Sequence, residues 1–396
     1  MDINSKALAL GSKRSIIREI FEYSKVRSAE IGADKVYDFS LGNPSVEPPK
    51  DVEDAIKDLI ANQNATTLHG YTSAQGDFSV RKSISDNINN RFNLNLTADD
   101  IYMTCGAAAS LSICLKAVMN KGDECVVFAP FFTEYRVFIE NAEGTVVVSK
   151  PEEKTFQIDV QDFESKITAK TKAVIINSPN NPSGVVYSKE TIKSVCEVLN
   201  RKQKEYGKVI YLIADEPYRE LVYGDIEVPY LMNYYDNTLV CYSFSKSLSL
   251  PGERIGYIAV NPAMEDAKSI YLAVCGAGRM LGYVCAPSLF QRVASLCLNA
   301  KVNVKAYKEN RDLLYNSLAE YGFECVEPDG AFYLFVKSPL KDATAFYEKA
   351  KEYEILIVPC DDFGVEGYVR IAYCVDKKRI ENSLPSFKAL SKECGL

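Results

Sequence analysis

Apolar residues recur along this chain with two different periods, and where the period changes the predicted structure changes. Between residues 12 and 32 the apolar positions Ile16, Ile17, Ile20, Phe21 and Val26 fall roughly on one side of a 3.6-residue repeat, which predicts an amphipathic helix. A strand and turn follow over 36–44. From about residue 97, short β-branched and aromatic runs alternate with helical stretches. The runs 101–104, 125–128, 145–148, 173–176, 209–214, 239–242 and 255–260 read as strands, and 107–119 reads as a helix. Strands separated by helical stretches need crossover connections, so the expected class is α/β, with a mostly parallel mixed sheet between helices. After Pro287 the pattern shifts. Residues 289–319 predict one long helix, followed by strands at 325–326, 332–336, 355–358 and 369–372, a helix near 342–353 and a closing helix. That mixture predicts a smaller α+β domain. The expected division is a large domain over 45–286 and a small one built from 1–44 and 287–396.

Composition narrows the function. With 396 residues, 47% hydrophobic and 25% charged, the chain has ample volume to bury a cofactor. A formal charge of -7 argues against a nucleic-acid partner, which usually meets a net basic face. No run approaches the roughly 20 apolar residues of a membrane span, and the first thirty residues hold no signal-peptide core. The expectation is a cytoplasmic protein without a membrane partner. Twelve scattered cysteines include no CxxC pair, so metal knuckles are not expected, and thiols in apolar runs such as 113–115 act as small hydrophobes in a reducing compartment. A single histidine, His69 beside Gly70, reads as a loop residue and leaves no His-rich metal site to build.

Candidate chemistry gathers where predicted strands end. The segment Ser243-Phe244-Ser245-Lys246, with Arg254 eight residues on, follows the 239–242 run and sets an amine among hydroxyls and a guanidinium. A lysine near its usual pKa of about 10.4 is a poor nucleophile, but partial desolvation beside another cation frees its lone pair. Alone, the segment reads more readily as a solvated lysine with a surface arginine. Three further segments share its position. Gly106-Ala107-Ala108 opens a helix and aims backbone N–H groups at a phosphate. Residues 176–184 are dense in turn formers and amides, including Asn181. Asp215, with Tyr218 just beyond, ends the apolar 209–213 run and should be at least half buried, which is costly unless it meets a cation. A phosphorylated cofactor with a basic ring nitrogen and a carbonyl uses all four segments, and pyridoxal phosphate fits.

At these residues the chain resembles the class I/II aminotransferases of the fold-type I pyridoxal-phosphate enzymes, in the pattern of the aspartate aminotransferases. The resemblance spans nearly the whole chain: Leu41-Gly42-Asn43-Pro44, Gly70-Tyr71-Thr72 with Gly76, Asn177 to Gly184, Asp215-Glu216-Pro217-Tyr218, Ser243 to Lys246 with Arg254 and Gly256, and Val369-Arg370-Ile371. It implies that Lys246 binds the cofactor aldehyde and then moves the substrate's α-proton, and that Asp215 keeps the ring nitrogen protonated. It implies that Asn181 and Tyr218 hydrogen-bond the ring's phenolic oxygen. It implies too that Ser243, Ser245 and Arg254 join Gly106, Ala107 and Ala108 at the phosphate. The resemblance further implies that Arg370 takes the substrate α-carboxylate with its guanidinium fork, that Gly42 lines the substrate pocket, and that Tyr71 reaches into the neighbouring subunit of a homodimer with shared sites.

The chain departs from that pattern in two places. Where relatives stack a tryptophan on the ring, this chain has Phe131-Phe132, and Phe132 is the candidate stacker. Ala107-Ala108 replaces larger or polar residues of the relatives, including a lysine that some aspartate-specific relatives use near the distal carboxylate, which weakens the case for aspartate. Arg279 is one candidate for a second cation there, and a role outside the site is the other reading. The glycines around Arg279 are spaced GxGxxxG and do not match a dinucleotide loop. The leading expectation is ping-pong transfer of an amino group between an L-amino acid and a 2-oxo acid, with aspartate preferred and aromatic amino acids or alanine next. A carbon–sulfur β-lyase on the same scaffold is the alternative. A non-catalytic regulator is disfavoured, because roughly 40 residues before Gly42 leave little room for a DNA-binding module.

Overall fold

The computed structural model describes residues 3–12 and 15–396. They form two compact units, one of residues 46–304 with 329–331, the other of residues up to 45 with 305–328 and 332–396. The change-over falls between Val304 and Lys305 rather than near 286. Helix Ser288–Leu296 accounts for the difference. Its Val293 and Ala294 join the apolar cluster of the larger unit beside Val52, Leu59, Leu68 and Val80.

The larger unit is built on a seven-stranded sheet. In spatial order its strands are Ile101–Thr104, Gly256–Val260, Thr238–Ser243, Tyr211–Asp215, Thr171–Asn177, Glu124–Phe128 and Thr145–Ser149. All run parallel except Gly256–Val260, which is antiparallel to both neighbours. Their near-continuous apolar runs follow from burial on both faces. Alternate residues supply the two layers. Val126, Val174, Ile176, Leu212, Ala214 and Val240 belong to the main apolar cluster, while Cys241 meets Cys114 of helix Ala107–Val118, with Sγ–Sγ 3.6 Å. Each fully buried Val, Leu or Ile contributes about 1.5–3 kcal/mol relative to exposure.

The smaller unit has an antiparallel sheet in the order Val358–Pro359, Tyr368–Ala372, Tyr333–Lys337, with a two-residue parallel pair of Tyr37–Asp38 and Ile355–Leu356. Helix Val304–Glu320 buries Tyr307, Leu314 and Leu318 on one stripe, and closing helix Lys377–Glu393 buries Ile380, Phe387 and Leu390. Phe387 lies 5.9 Å from Phe39, ring to ring.

Four predicted elements differ, one of them the strand expected over 355–358, which is divided between two sheets as Ile355–Leu356 and Val358–Pro359. The N-terminal helix begins at Ile16 and runs to Ile31; residues 13 and 14 of the expected 12–32 helix lie outside the described residues. The single helix expected over 289–319 is two, Ser288–Leu296 and Val304–Glu320. Between them Leu298, Ala300 and Val302 are buried or half-buried while Asn299, Lys301 and Asn303 are exposed. That period of two marks extended chain, and it was present in the residue pattern. The strand expected at 325–326 is one isolated bridge, Cys325 to Val336.

Candidate active site

The carboxyl edge of a parallel sheet is where an open α/β fold presents ligand-binding groups. Here Thr104, Phe128, Asn177, Asp215 and Ser243 end strands at that edge, so the segments that follow them lie along it. Lys246 sits in a single helical turn, Phe244–Ser247. Ser243 caps the turn: its Oγ accepts from the Ser245 N–H at 3.2 Å and donates to Ser245 Oγ at 2.8 Å. Buried Phe244 packs against Tyr242 and Tyr257, and its N–H bonds to the Ile255 carbonyl at 3.1 Å. The turn is therefore tied to two strands, and half-buried Lys246 projects from a fixed base.

Asp215 ends its strand only 5% exposed. Oδ2 accepts a hydrogen bond from the Tyr135 hydroxyl, and buried Oδ1 has no hydrogen-bond partner among the described residues. Burial pushes this carboxyl up to about 7; the Tyr135 bond opposes the rise and neighbouring Glu216 adds to it. The Glu216 charge is itself turned to Arg219 through two bonds of 2.5 Å. Arg219 further donates to the carbonyls of Val228 and Pro229 and lies over the rings of Phe92 and Tyr230.

The turn-rich 177–184 segment closes on itself. Asn177 donates from Nδ2 to the Asp215 carbonyl at 2.9 Å and accepts the Asn181 N–H on Oδ1 at 2.7 Å, so the strand holding Asp215 also sets the loop holding Asn181. Asn180 Oδ1 accepts from the N–H and hydroxyl of Ser183. Tyr218 is buried two residues beyond Glu216, its carbonyl taking the Leu221 N–H at 2.8 Å.

Gly106 caps helix Ala107–Val118 with φ +88°, a conformation that favours glycine, and a Cβ there would lie 2.8 Å from Arg254 Nη2. Arg254 bonds to the Pro251 and Cys105 carbonyls, which holds its guanidinium beside the helix start. Ser243 pairs with Gly256 in the sheet register, and a Cβ on Gly256 would lie 3.1 Å from the Gly106 Cα. The helix's unpaired first N–H groups at Ala107 and Ala108, one guanidinium and the Ser243 segment thus adjoin, and such a group suits a phosphate. Phe132 is half-buried and meets Tyr135 edge-on at 5.7 Å.

Gly42 and Arg370 come together in the smaller unit. Arg370, 2% exposed on strand Tyr368–Ala372, donates from Nη2 to the Ser40 carbonyl at 2.6 Å and lies 4.6 Å over the Tyr333 ring. A Cβ on Gly42 would come within 2.0 Å of the Tyr333 hydroxyl. Tyr71 is 99% exposed and Arg279 is exposed on the last turn of helix Ala267–Met280. His69 closes the short helix Ala65–His69 instead of lying in a loop. Sequence reasoning passed over Tyr135, whose only signal was its place one helical turn beyond Phe132, and gave Asn177 no role of its own.

The profile of the aminotransferase class I and II family matches residues 34–387. The chain belongs to that family. This aminotransferase is 31% identical over 386 residues to a probable aspartate aminotransferase of Methanocaldococcus jannaschii, covering 96% of this chain and 97% of that protein. It is 29% identical over 353 residues to the aspartate aminotransferase of Thermotoga maritima, covering 88% and 89%. A crystal structure of an amino transferase from Eubacterium rectale superposes with a TM-score of 0.98 at 53% identity over 100% of both chains. Like its relatives, the aminotransferase depends on pyridoxal phosphate. Its residues fit that group. The unpartnered Asp215 Oδ1 offers an acceptor for a protonated ring nitrogen, and the missing side chain at Gly106 admits the Arg254 guanidinium to the helix start, where it suits a phosphate.

Proposed function

We propose that this enzyme moves the amino group of an L-amino acid to a 2-oxo acid in two ping-pong half-reactions, with aspartate as the preferred donor and aromatic amino acids or alanine next. The observation that supports it most is the buried Asp215 carboxylate, with one oxygen unpartnered, at the same sheet edge as Lys246. When bound, pyridoxal phosphate supplies an electron-accepting ring that stabilises negative charge at the substrate α-carbon. Lys246 Nζ would hold the cofactor through its aldehyde carbon, with loss of water, and its amine would carry a proton to and from the substrate α-carbon. Asp215 keeps the ring nitrogen protonated. Asn181 and Tyr218 donate to the phenolic oxygen, and Phe132 covers a ring face. The N–H groups of Ala107 and Ala108, the Gly106 turn, Ser243, Ser245 and Arg254 hold the phosphate. Arg370 takes the α-carboxylate through its planar fork, Gly42 lines the substrate pocket, and Arg279 serves a distal carboxylate.

Donor preference rests on relatives named aspartate aminotransferases, set against Ala108, which brings no charge to the phosphate-loop helix. Rapid-mixing absorbance of the holoenzyme with single amino acids and no oxo acid tests it. Aspartate should convert the cofactor fastest. A faster phenylalanine or alanine reaction moves the donor assignment, and pyruvate released from cystathionine without oxo acid replaces transfer by β-elimination.

The active form is proposed to be a homodimer in which Tyr71 completes the neighbouring site. Tyr71 at 99% exposure, with exposed Leu272, Met280 and Val284 in the same unit, supports it, since such apolar surface marks an interface. Sedimentation should show a dimer, and an active stable monomer contradicts the shared site. A cytoplasmic setting is supported by twelve cysteines that form no disulfide among the described residues. No helix among the described residues is long and apolar enough to cross a membrane.

A further inference from the structure

We propose that Tyr135 is a positioning residue for the cofactor's ring nitrogen: its phenol occupies one oxygen of the Asp215 carboxylate and thereby reserves the other for the ring. Both side chains are nearly sealed from solvent, at 2% and 5% exposure. A carboxylate in such a place needs its lone pairs matched, yet only Oδ2 is matched by the protein, and the donor is the Tyr135 hydroxyl. Anchoring one oxygen removes the free rotation of the carboxylate about its Cβ–Cγ bond and fixes where the second oxygen lies. The anchor is itself held, by the Tyr135 N–H on the Phe132 carbonyl at 3.0 Å and by the Phe132 ring against its edge. Asn177 holds the Asp215 main chain from the other side at 2.9 Å.

The electrostatics point the same way. Burial raises the Asp215 carboxyl to about 7, and Glu216 adds to the rise although its charge is mostly met by Arg219. Tyr187 and Tyr218 lie near Tyr135, and the Cys241 thiol, itself against Cys114, lies opposite Asp215 in the sheet. Burial holds the Tyr187 and Cys241 protons in place, so these groups stay neutral. Among these neighbours the Tyr135 bond is what lowers the Asp215 carboxyl and favours its anion, the form that pairs with a protonated ring.

The inference rests on the reading that Asp215 meets the ring nitrogen, and the test separates the two. Cofactor-free protein is titrated with pyridoxal phosphate across neutral pH, following tyrosine fluorescence, for the unaltered protein, Tyr135→Phe, Asp215→Asn and the double variant. The protonated carboxyl of Asp215 is followed by infrared difference spectra in cofactor-free protein. In the unaltered protein affinity should fall as pH drops through about 7, where Asp215 takes up a proton. Tyr135→Phe should weaken binding at neutral pH roughly 10-fold to 100-fold, the range for a hydrogen bond to a charged group. It should also move both the binding limb and the infrared titration upward by about one pH unit or more, a tenfold change per unit. In the Asp215→Asn background the same change should have no further effect on the limb. An unmoved infrared titration in a folded Tyr135→Phe protein overturns the inference, as does a loss of affinity equal at every pH, which marks lost packing. If Asp215→Asn binds the cofactor as tightly as the unaltered protein, the underlying reading has failed instead.

Discussion

Replacing Lys246 with alanine should lower turnover by about four orders of magnitude or more, because one side chain supplies both the covalent tether and the proton carrier, and positioned acid–base groups alone contribute roughly 10²–10⁴. The protein should still fold. Lys246 is half-buried at the end of a single turn whose cap, Ser243, and core residue, Phe244, are untouched by the change. Cofactor should still bind, since the Gly106 turn, Arg254 and Asp215 remain. Borohydride treatment followed by peptide mass mapping separates the two functions. In the unaltered protein the cofactor mass should be fixed on the peptide that contains Lys246; in the variant it should be fixed on none. Turnover within tenfold of normal, or the label on a different lysine, removes Lys246 from the mechanism.

Asp215→Ala should slow the half-reaction with an amino acid by roughly 10²–10³, the usual loss when one preorganised electrostatic partner of a developing charge is removed. The loss should fall on proton abstraction. A substrate deuterated at the α-carbon should then show its full isotope effect in the variant, as expected when that step limits the rate. Two structural effects accompany the chemical one. The Tyr135 hydroxyl loses its acceptor inside the protein, at a cost of about 1–3 kcal/mol, and the raised carboxyl disappears from the interior. Thermal unfolding of the cofactor-free variant measures the balance of these. A variant with unchanged kinetics and unchanged isotope effect would falsify the pairing of Asp215 with the ring.

Much of this site was legible because its residues end apolar runs. The strand edges at Thr104, Asn177, Asp215 and Ser243 lie within a residue of where β-branched and aromatic runs give way to turn formers, since burial on both faces demands such runs and polar loops demand their end. The expected burial of Asp215 followed from the same argument. Tyr135 was not legible. A tyrosine in a short helix beside Phe131 and Phe132 reads as core packing, and its partner is 80 residues away along the chain, a pairing that local patterns do not encode. The domain change-over was misplaced for a related reason. Helix Ser288–Leu296 has an apolar face that fits either unit, and only the cluster around Val52 and Leu59 decides which one receives it. The break after Leu296, by contrast, could have been read from the alternation at 298–303.

The ion pair just beyond Asp215 limits how this enzyme can change over generations. Glu216 and Arg219 are both almost wholly enclosed, and losing either would strand the other's charge away from water, at roughly 3–5 kcal/mol. Against a total fold stability of about 5–15 kcal/mol, that step leaves a much depleted folded population. Lineages that keep the fold should therefore alter the two positions together or not at all, whereas a change at exposed Arg279 strands no buried charge. A search for variants with new amino-donor preferences is best begun at that exposed position.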